Sequence, residues 1–271
     1  MKKTLILAAT LCLLIACNFI GAMNPEHKQA ISTQVSEQLT ASPIVLPTQT
    51  IDQTALAATE IITPTETETL EPTITLTPTL SPDDPRTRLG EPTWKETFDK
   101  PNQNFYQYED DQTRFLYENG ALSLTAKNAN GWTGWSMSYP KPHNFYLEAT
   151  FKTQTCSGAD QYGLVFRSPD YKDGYFLGIT CDGKFSLRIY SQKGFLISPT
   201  GNPAINSGPN QVNRIGILAQ NDRFAFYANG KKLQETKDST FMDAGLFGAF
   251  IVSVNTPKFT VNMDEIAFWN Q

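Results

Sequence analysis

Arg188 and Tyr190 stand two residues apart in an apolar run, and Arg167 closes an earlier run of the same kind. Residues two apart on a strand share a face, so these three lie on one polar side if their segments pair as neighbouring strands. A guanidinium fork donates to hydroxyls or carboxylates, and a tyrosine ring offers its face to the C–H groups of a sugar. Glu148, in the preceding run, can accept from hydroxyls or pair with Lys152 or an arginine. Trp132 and Trp135 lie among glycines and small polar residues in GWTGWS and can close over the rim of such a surface. Arg167, Arg188, Tyr190, Glu148, Trp132 and Trp135 are therefore the candidate ligand platform. Taken singly, each also fits a solvated outer sheet face with incidental cross-strand pairs.

Other chemistry is sparse. His143 is the one histidine after residue 91, so a Ser-His-Asp triad or a His-based zinc site has nothing to build from. No Gly-rich phosphate loop is present. The formal net charge of −5 falls wholly before residue 92, and residues 92–271 carry equal numbers of basic and acidic groups. A neutral domain without a basic run offers nucleic acid no electrostatic footprint. Cys156 and Cys181 are the two cysteines of that region. In an exported domain such a pair favours a disulfide, with two buried thiols as the alternative.

The elements that must position these groups are strands. Residues 145–192 contain four runs rich in Phe, Tyr, Val, Ile and Leu, separated by clusters of Gly, Asp, Ser and Pro. That pattern predicts an antiparallel meander. Leu147, Ala149, Phe151, Tyr162, Leu164, Phe166, Tyr175, Leu177, Ile179, Phe185, Leu187 and Ile189 form its apolar face and must look into a core. Asn119-Gly120 and Asn229-Gly230 read as tight hairpins, because both central residues of such a turn need positive φ. Residues 194–211, rich in Pro and Gly, read as a long loop. No stretch keeps apolar residues at helical spacing for three turns. About a dozen short strands at near-regular intervals predict an all-β antiparallel sandwich or jelly roll, expected to be monomeric.

Upstream the chain changes character. MKKTLILAATLCLLIAC has two lysines, an apolar stretch too short to span a bilayer, and small residues before a cysteine. Leu14-Ile15-Ala16-Cys17 resembles a lipobox, which implies a signal peptide over 1–16 and acylation of Cys17. Residues 17–91 hold a single aromatic residue, Phe19, and repeat Thr-Pro and Thr-Glu units. Such composition cannot build a core and favours an extended, disordered linker. The expected arrangement is a lipid-anchored stalk from a bacterial membrane, carrying the domain of residues 92–271 into extracellular or periplasmic space.

The run RIGILAQNDRFAFYANGKKLQE, with FMDAGLFGAF and VNMDEIAFW after it, resembles the C-terminal half of the concanavalin A-like lectin/glucanase jelly rolls. That superfamily includes laminin G-like and keto-disaccharide hydrolase-type domains. The resemblance implies a carbohydrate partner. Retaining glucanases of the group carry Glu-x-Asp-x-Glu or Glu-x-Asp-x-x-Glu on one strand, and no such motif occurs here: Asp264 and Glu265 are adjacent. Paired carboxylates from separate strands would be needed instead. Several of these jelly rolls hold calcium at a sheet edge, and Asp99 with Asp264 are weak candidates for one. The reading is a non-catalytic glycan-binding module on a stalk. The alternatives are a hydrolase with dispersed acidic residues and a protein-interaction or structural domain.

Overall fold

A computed structural model describes residues 80–100, 102–192 and 194–271. The leader, Cys17 and the stalk up to residue 79 lie outside the described residues. The described residues form fifteen strands: β1 (Trp94–Glu96), β2 (Tyr108–Glu109), β3 (Thr113–Glu118), β4 (Ala121–Ala126), β5 (Thr133–Ser138), β6 (Phe145–Thr153), β7 (Gln161–Ser168), β8 (Tyr175–Thr180), β9 (Lys184–Ile189), β10 (Ile197–Gly201), β11 (Val212–Gln220), β12 (Arg223–Ala228), β13 (Lys231–Lys237), β14 (Leu246–Val252) and β15 (Phe259–Asn270).

They build two antiparallel sheets. One has the order β13-β12-β11-β6-β15-β4-β3-β2, with β1 also paired to β15. The other has six strands in the order β10-β9-β8-β7-β14-β5. One apolar core lies between them, and all twelve inward positions predicted for residues 145–192 belong to it. The fold is the predicted β-sandwich. The turns form as their residues require: Asn119-Gly120 and Asn229-Gly230 all have positive φ. Residues 197–201, expected to be loop, pair as β10 on the edge of the six-stranded sheet.

Two expectations are corrected. The four runs of residues 145–192 are not one meander. β7, β8 and β9 are consecutive neighbours, but β6 crosses to the other sheet, between β11 and β15. Alternation fixed which side of β6 faces the core without fixing its partners, because both sheets face that core. The second correction concerns where the domain starts. Asp84 and Pro85 are buried, so packing begins before Pro92. The short 3-10 turn Pro85–Thr87, whose first amide is capped by Asp84, lies against the nine-stranded sheet. Arg86 reaches Glu265, and Trp269 donates to the Gly90 carbonyl at 2.7 Å.

Cys156 follows β6 and Cys181 follows β8, and the two are joined by a disulfide with Cα atoms 6.0 Å apart. The bond therefore ties the ends of opposing sheets. Beside it, the Asp160 carboxylate accepts backbone N–H groups from Ser157, Val254, Asn255 and Thr256. Burial pushes that carboxyl up, but these donors outweigh it and hold it below the ordinary range.

Candidate functional site

The outer face of the six-stranded sheet gathers half of the predicted platform. Arg188 lies on β9 and Tyr190 just beyond it, while Trp135 lies on β5 at the opposite edge. On a flat sheet four strand spacings separate β9 from β5, roughly 19 Å. Yet the Trp135 and Tyr190 ring centroids are 4.7 Å apart, and Arg188 Nη2 donates to Thr133 Oγ1 on β5 at 3.0 Å. The sheet must curl, so this outer face is concave and side chains from β9 and from the edge strand β5 meet across it.

The floor of the hollow is apolar. Met137, Val165, Phe176, Leu246, Phe250 and Val252 form a second buried cluster, with Trp135 and Tyr190 packed on it. Gly163 and Gly178 are cross-strand partners in the same face. A side chain at Gly163 would strike the Leu177 carbonyl, and one at Gly178 would strike Gln161, which reaches over it to Ser186 at 2.9 Å. Phe176 meets the Phe250 ring edge to face and the Tyr190 ring at a tilt, and the Arg188 guanidinium lies over the Phe176 and Tyr190 rings at 5.7 and 5.6 Å.

The hollow opens beside β5 into a cleft of about 420 Å³ lined by Tyr106, Tyr108, Trp135, Met137, Tyr139 and Tyr171. Its position follows from an edge strand with loops on either side. Residues 105–108 run along β5, with Phe105 bridged to Ser138 and Ser136 Oγ donating to the Tyr106 carbonyl at 2.6 Å. Tyr106 stacks on Tyr108, which stacks on the core residue Phe115, so a ladder of rings leads from surface to interior. Burial pushes the Tyr108 hydroxyl up, against hydrogen bonding with Thr113. The loop after β7 supplies Tyr171, whose carbonyl accepts Trp135 Nε1–H at 2.9 Å and fixes the indole. Tyr106, Tyr139 and Tyr171 are 63%, 61% and 55% exposed. Large rings so open to water stand out on a sandwich whose other aromatics are mostly buried.

A second depression of about 340 Å³ lies over β11–β13 and is lined by Gln220, Arg223, Glu235 and Lys237 among others. Its only ring is Phe224, which is buried.

Two predicted platform residues lie elsewhere. Arg167 was expected beside Arg188 on the polar face, but it is 1% exposed and points into the core. Between Val165 and Ser168 the strand carries one residue more than β14 does opposite, a β-bulge, and Arg167 takes φ +48°. The extra residue reverses the alternation. The Arg167 guanidinium donates to the carbonyls of Asn221, Phe241 and His143 and to Asn144 Oδ1, and lies over Phe224. Gly245 is pressed against its backbone, where a side chain would clash.

Glu148 was also expected on the platform. Since β6 belongs to the nine-stranded sheet, Glu148 lies on the far side of the sandwich, 2% exposed under residues 84–90. It pairs with Arg86 at 2.5 Å and Arg214 at 3.3 Å and accepts from the Tyr146 hydroxyl, while Arg214 also pairs with Asp84. Burial raises its carboxyl above the ordinary value, against the pull of both arginines. It is a structural anchor for the N-terminal segment.

Trp132 is exposed and immediately precedes Thr133. Asp99 accepts from the Thr97 hydroxyl, and among the described residues no three His, Cys, Asp or Glu side chains converge on a point fit for a metal ion. The cleft tyrosines went unread in the sequence. Tyr139 before Pro140 and Tyr171 between Asp170 and Lys172 lie in turns, where a large ring has no core to join, and that was the available signal.

The architecture and the hollow outer face define a concanavalin A-like β-sandwich. No protein-family model and no curated protein matches the chain. Solved structures do. A Bacillus subtilis protein of unknown function with a galectin-like fold matches at TM-score 0.51 and 12% identity, over 67% of this chain and 96% of that one. A structure reported for endo-acting O-glycanases that initiate mucin breakdown in human gut microbiota matches at 0.50 and 12%, over 67% and 100%. The carbohydrate-binding module CBM66 from Bacillus subtilis matches at 0.46 and 18%, over 62% and 92%.

Proposed function

We propose that this protein is a glycan-binding module without catalytic activity, displayed on a stalk. The observation that carries the reading is the cleft. Five aromatic side chains, three of them largely open to water, surround a space within the range of small-ligand sites, about 300–1,000 Å³. Ring faces suit the C–H patches of sugars, and the tyrosine hydroxyls supply donors and acceptors for their hydroxyls. Similarity in fold to a mucin O-glycanase structure supports carbohydrate as the partner class.

The lining favours binding over hydrolysis. Glycoside hydrolysis uses two carboxyl groups flanking the scissile bond, and no acidic side chain lines the cleft. Asp170 and Asp173, in the loop that carries Tyr171, accept backbone N–H groups of Lys172, Asp173, Gly174 and Ser191. Those carboxylates hold the loop in shape.

The rest of the proposal comes from the sequence: acylation at Cys17, and a Thr/Pro-rich spacer that lifts the domain away from the membrane. A disulfide between the sheets fits an exported domain. The test is a glycan array probed with the full chain and with Tyr106→Ala, Trp135→Ala and Tyr139→Ala variants. At least one glycan class should be retained by the parent, and each variant should weaken it by about fivefold to tenfold, one stacked ring contributing roughly 1–1.5 kcal/mol. Retention of no glycan, or variants that bind like the parent, would refute the proposal.

A further inference from the structure

Arg188 goes beyond this reading and rests on it. Among the described residues, Arg86, Arg114 and Arg214 each pair with a carboxylate, and the buried Arg167 is met by four oxygens. Arg188 has neither. No carboxylate of the described residues lies within ion-pair distance, and its one acceptor is the neutral Thr133 hydroxyl at 3.0 Å. Its Nε–H is buried without a partner. A guanidinium has five N–H donors, so most of them meet no protein acceptor. The rings of Phe176 and Tyr190 pack against the group, their centroids 5.7 and 5.6 Å from its central carbon.

Half-burying a cation in this way costs stability unless something compensates it. Burial indeed pulls the Arg188 proton affinity down. An apolar side chain would pack the hollow with no such cost. The fork is planar and offers the geometry that a carboxylate meets with two parallel hydrogen bonds. A carboxylate outcompetes the Thr133 hydroxyl, because charge-assisted bonds are roughly twice as strong as neutral ones. On the same face the half-buried Gln161 amide, which covers the buried Ser186, offers its remaining N–H and its carbonyl to an adjoining hydroxyl.

We propose that Arg188 anchors the carboxylate of an acidic sugar, a uronic or sialic acid residue, so that the module's ligand is an anionic glycan. Both sources present the same carboxylate, and the test separates them. Binding of trigalacturonate, its methyl ester, 3′-sialyllactose and lactose is measured by titration calorimetry on the full chain. At least one acid should bind about tenfold to a hundredfold tighter than its uncharged counterpart, the span of one charge-assisted contact. The gap should close in Arg188→Gln and survive in part in Arg188→Lys. Should Arg188→Gln fail to fold, the acid–neutral gap of the parent between 50 and 500 mM salt decides, because an ion pair weakens with screening and a neutral contact does not. Equal binding of acid and neutral forms, a gap that persists in Arg188→Gln, or a gap indifferent to salt overturns the inference. A parent that retains only neutral glycans on the array overturns the role of Arg188 and leaves the glycan module standing. A parent that retains none overturns both.

Discussion

Replacing Arg214 with methionine tests whether the N-terminal segment belongs to the domain. The Arg214 side chain is 16% exposed and lies between Asp84 and Glu148, both nearly inaccessible. Without it Asp84 keeps no ion-pair partner, only the Arg86 backbone N–H, and Glu148 keeps Arg86, which also serves Glu265. Removing one partner of a buried ion pair costs about 3–5 kcal/mol, and the partial exposure of Arg86 argues for the lower end, about 3 kcal/mol. In a domain of this size each kcal/mol moves Tm by about 2–4 °C, so a fall of roughly 6–12 °C is expected. The pH dependence has a definite sign. Burial already raises the Glu148 carboxyl, and losing Arg214 raises it further. A carboxyl raised in the folded state favours folding in its protonated form, below its unfolded value of about 4.3, and its cost appears as pH rises through the folded value. The Arg214→Met deficit should therefore shrink between pH 7.5 and pH 5. Thermal unfolding followed by circular dichroism at both pH values measures it. Glu148→Gln added to Arg214→Met should recover part of the loss at pH 7.5. A fall under about 2 °C, or a deficit that grows in acid, would refute the assignment of this cluster as a structural tie.

Limited proteolysis should leave a resistant fragment that begins before Asp84, and a chain cut back to Pro92 should unfold at lower temperature. A fragment beginning at Pro92 with the parent's Tm would contradict the packing of residues 84–90. The Cys156–Cys181 bond closes a loop with a sequence separation of 25, worth about 3.5 kcal/mol in the chain-entropy account. The double Cys→Ser variant should lose roughly 7–14 °C in Tm, and a loss under about 3 °C would exclude that contribution. Asp160→Asn removes a charged acceptor from four backbone donors and should cost about 1.5–3 kcal/mol at neutral pH. Because the Asp160 carboxyl is held low in the folded state, its stabilisation is present above the unfolded value of about 3.9 and is lost as pH falls through the folded one. Parent and variant melting curves should converge in acid, and a gap constant with pH would refute the charge-based account.

The strand periods, the hairpins and the inward faces were all decided locally. Alternation separates Leu147 from Glu148 and Leu187 from Arg188 by nearest-neighbour geometry, and Asn229-Gly230 turns because of what those two residues allow. The cysteine pair was equally legible from its count and context. Tertiary structure alone decided which sheet received β6, because a strand with one apolar face fits either side of a shared core. That choice carried Glu148 away from Arg188. One extra residue in β7 sent Arg167 inward, since a period of two holds only while the two paired strands stay in step. The curl of the six-stranded sheet brought Trp135 to Tyr190 across three intervening strands, and three loops far apart in sequence brought Tyr106, Tyr139 and Tyr171 around one cleft. Curvature and loop convergence depend on contacts between distant residues, and no local pattern of side chains encodes them.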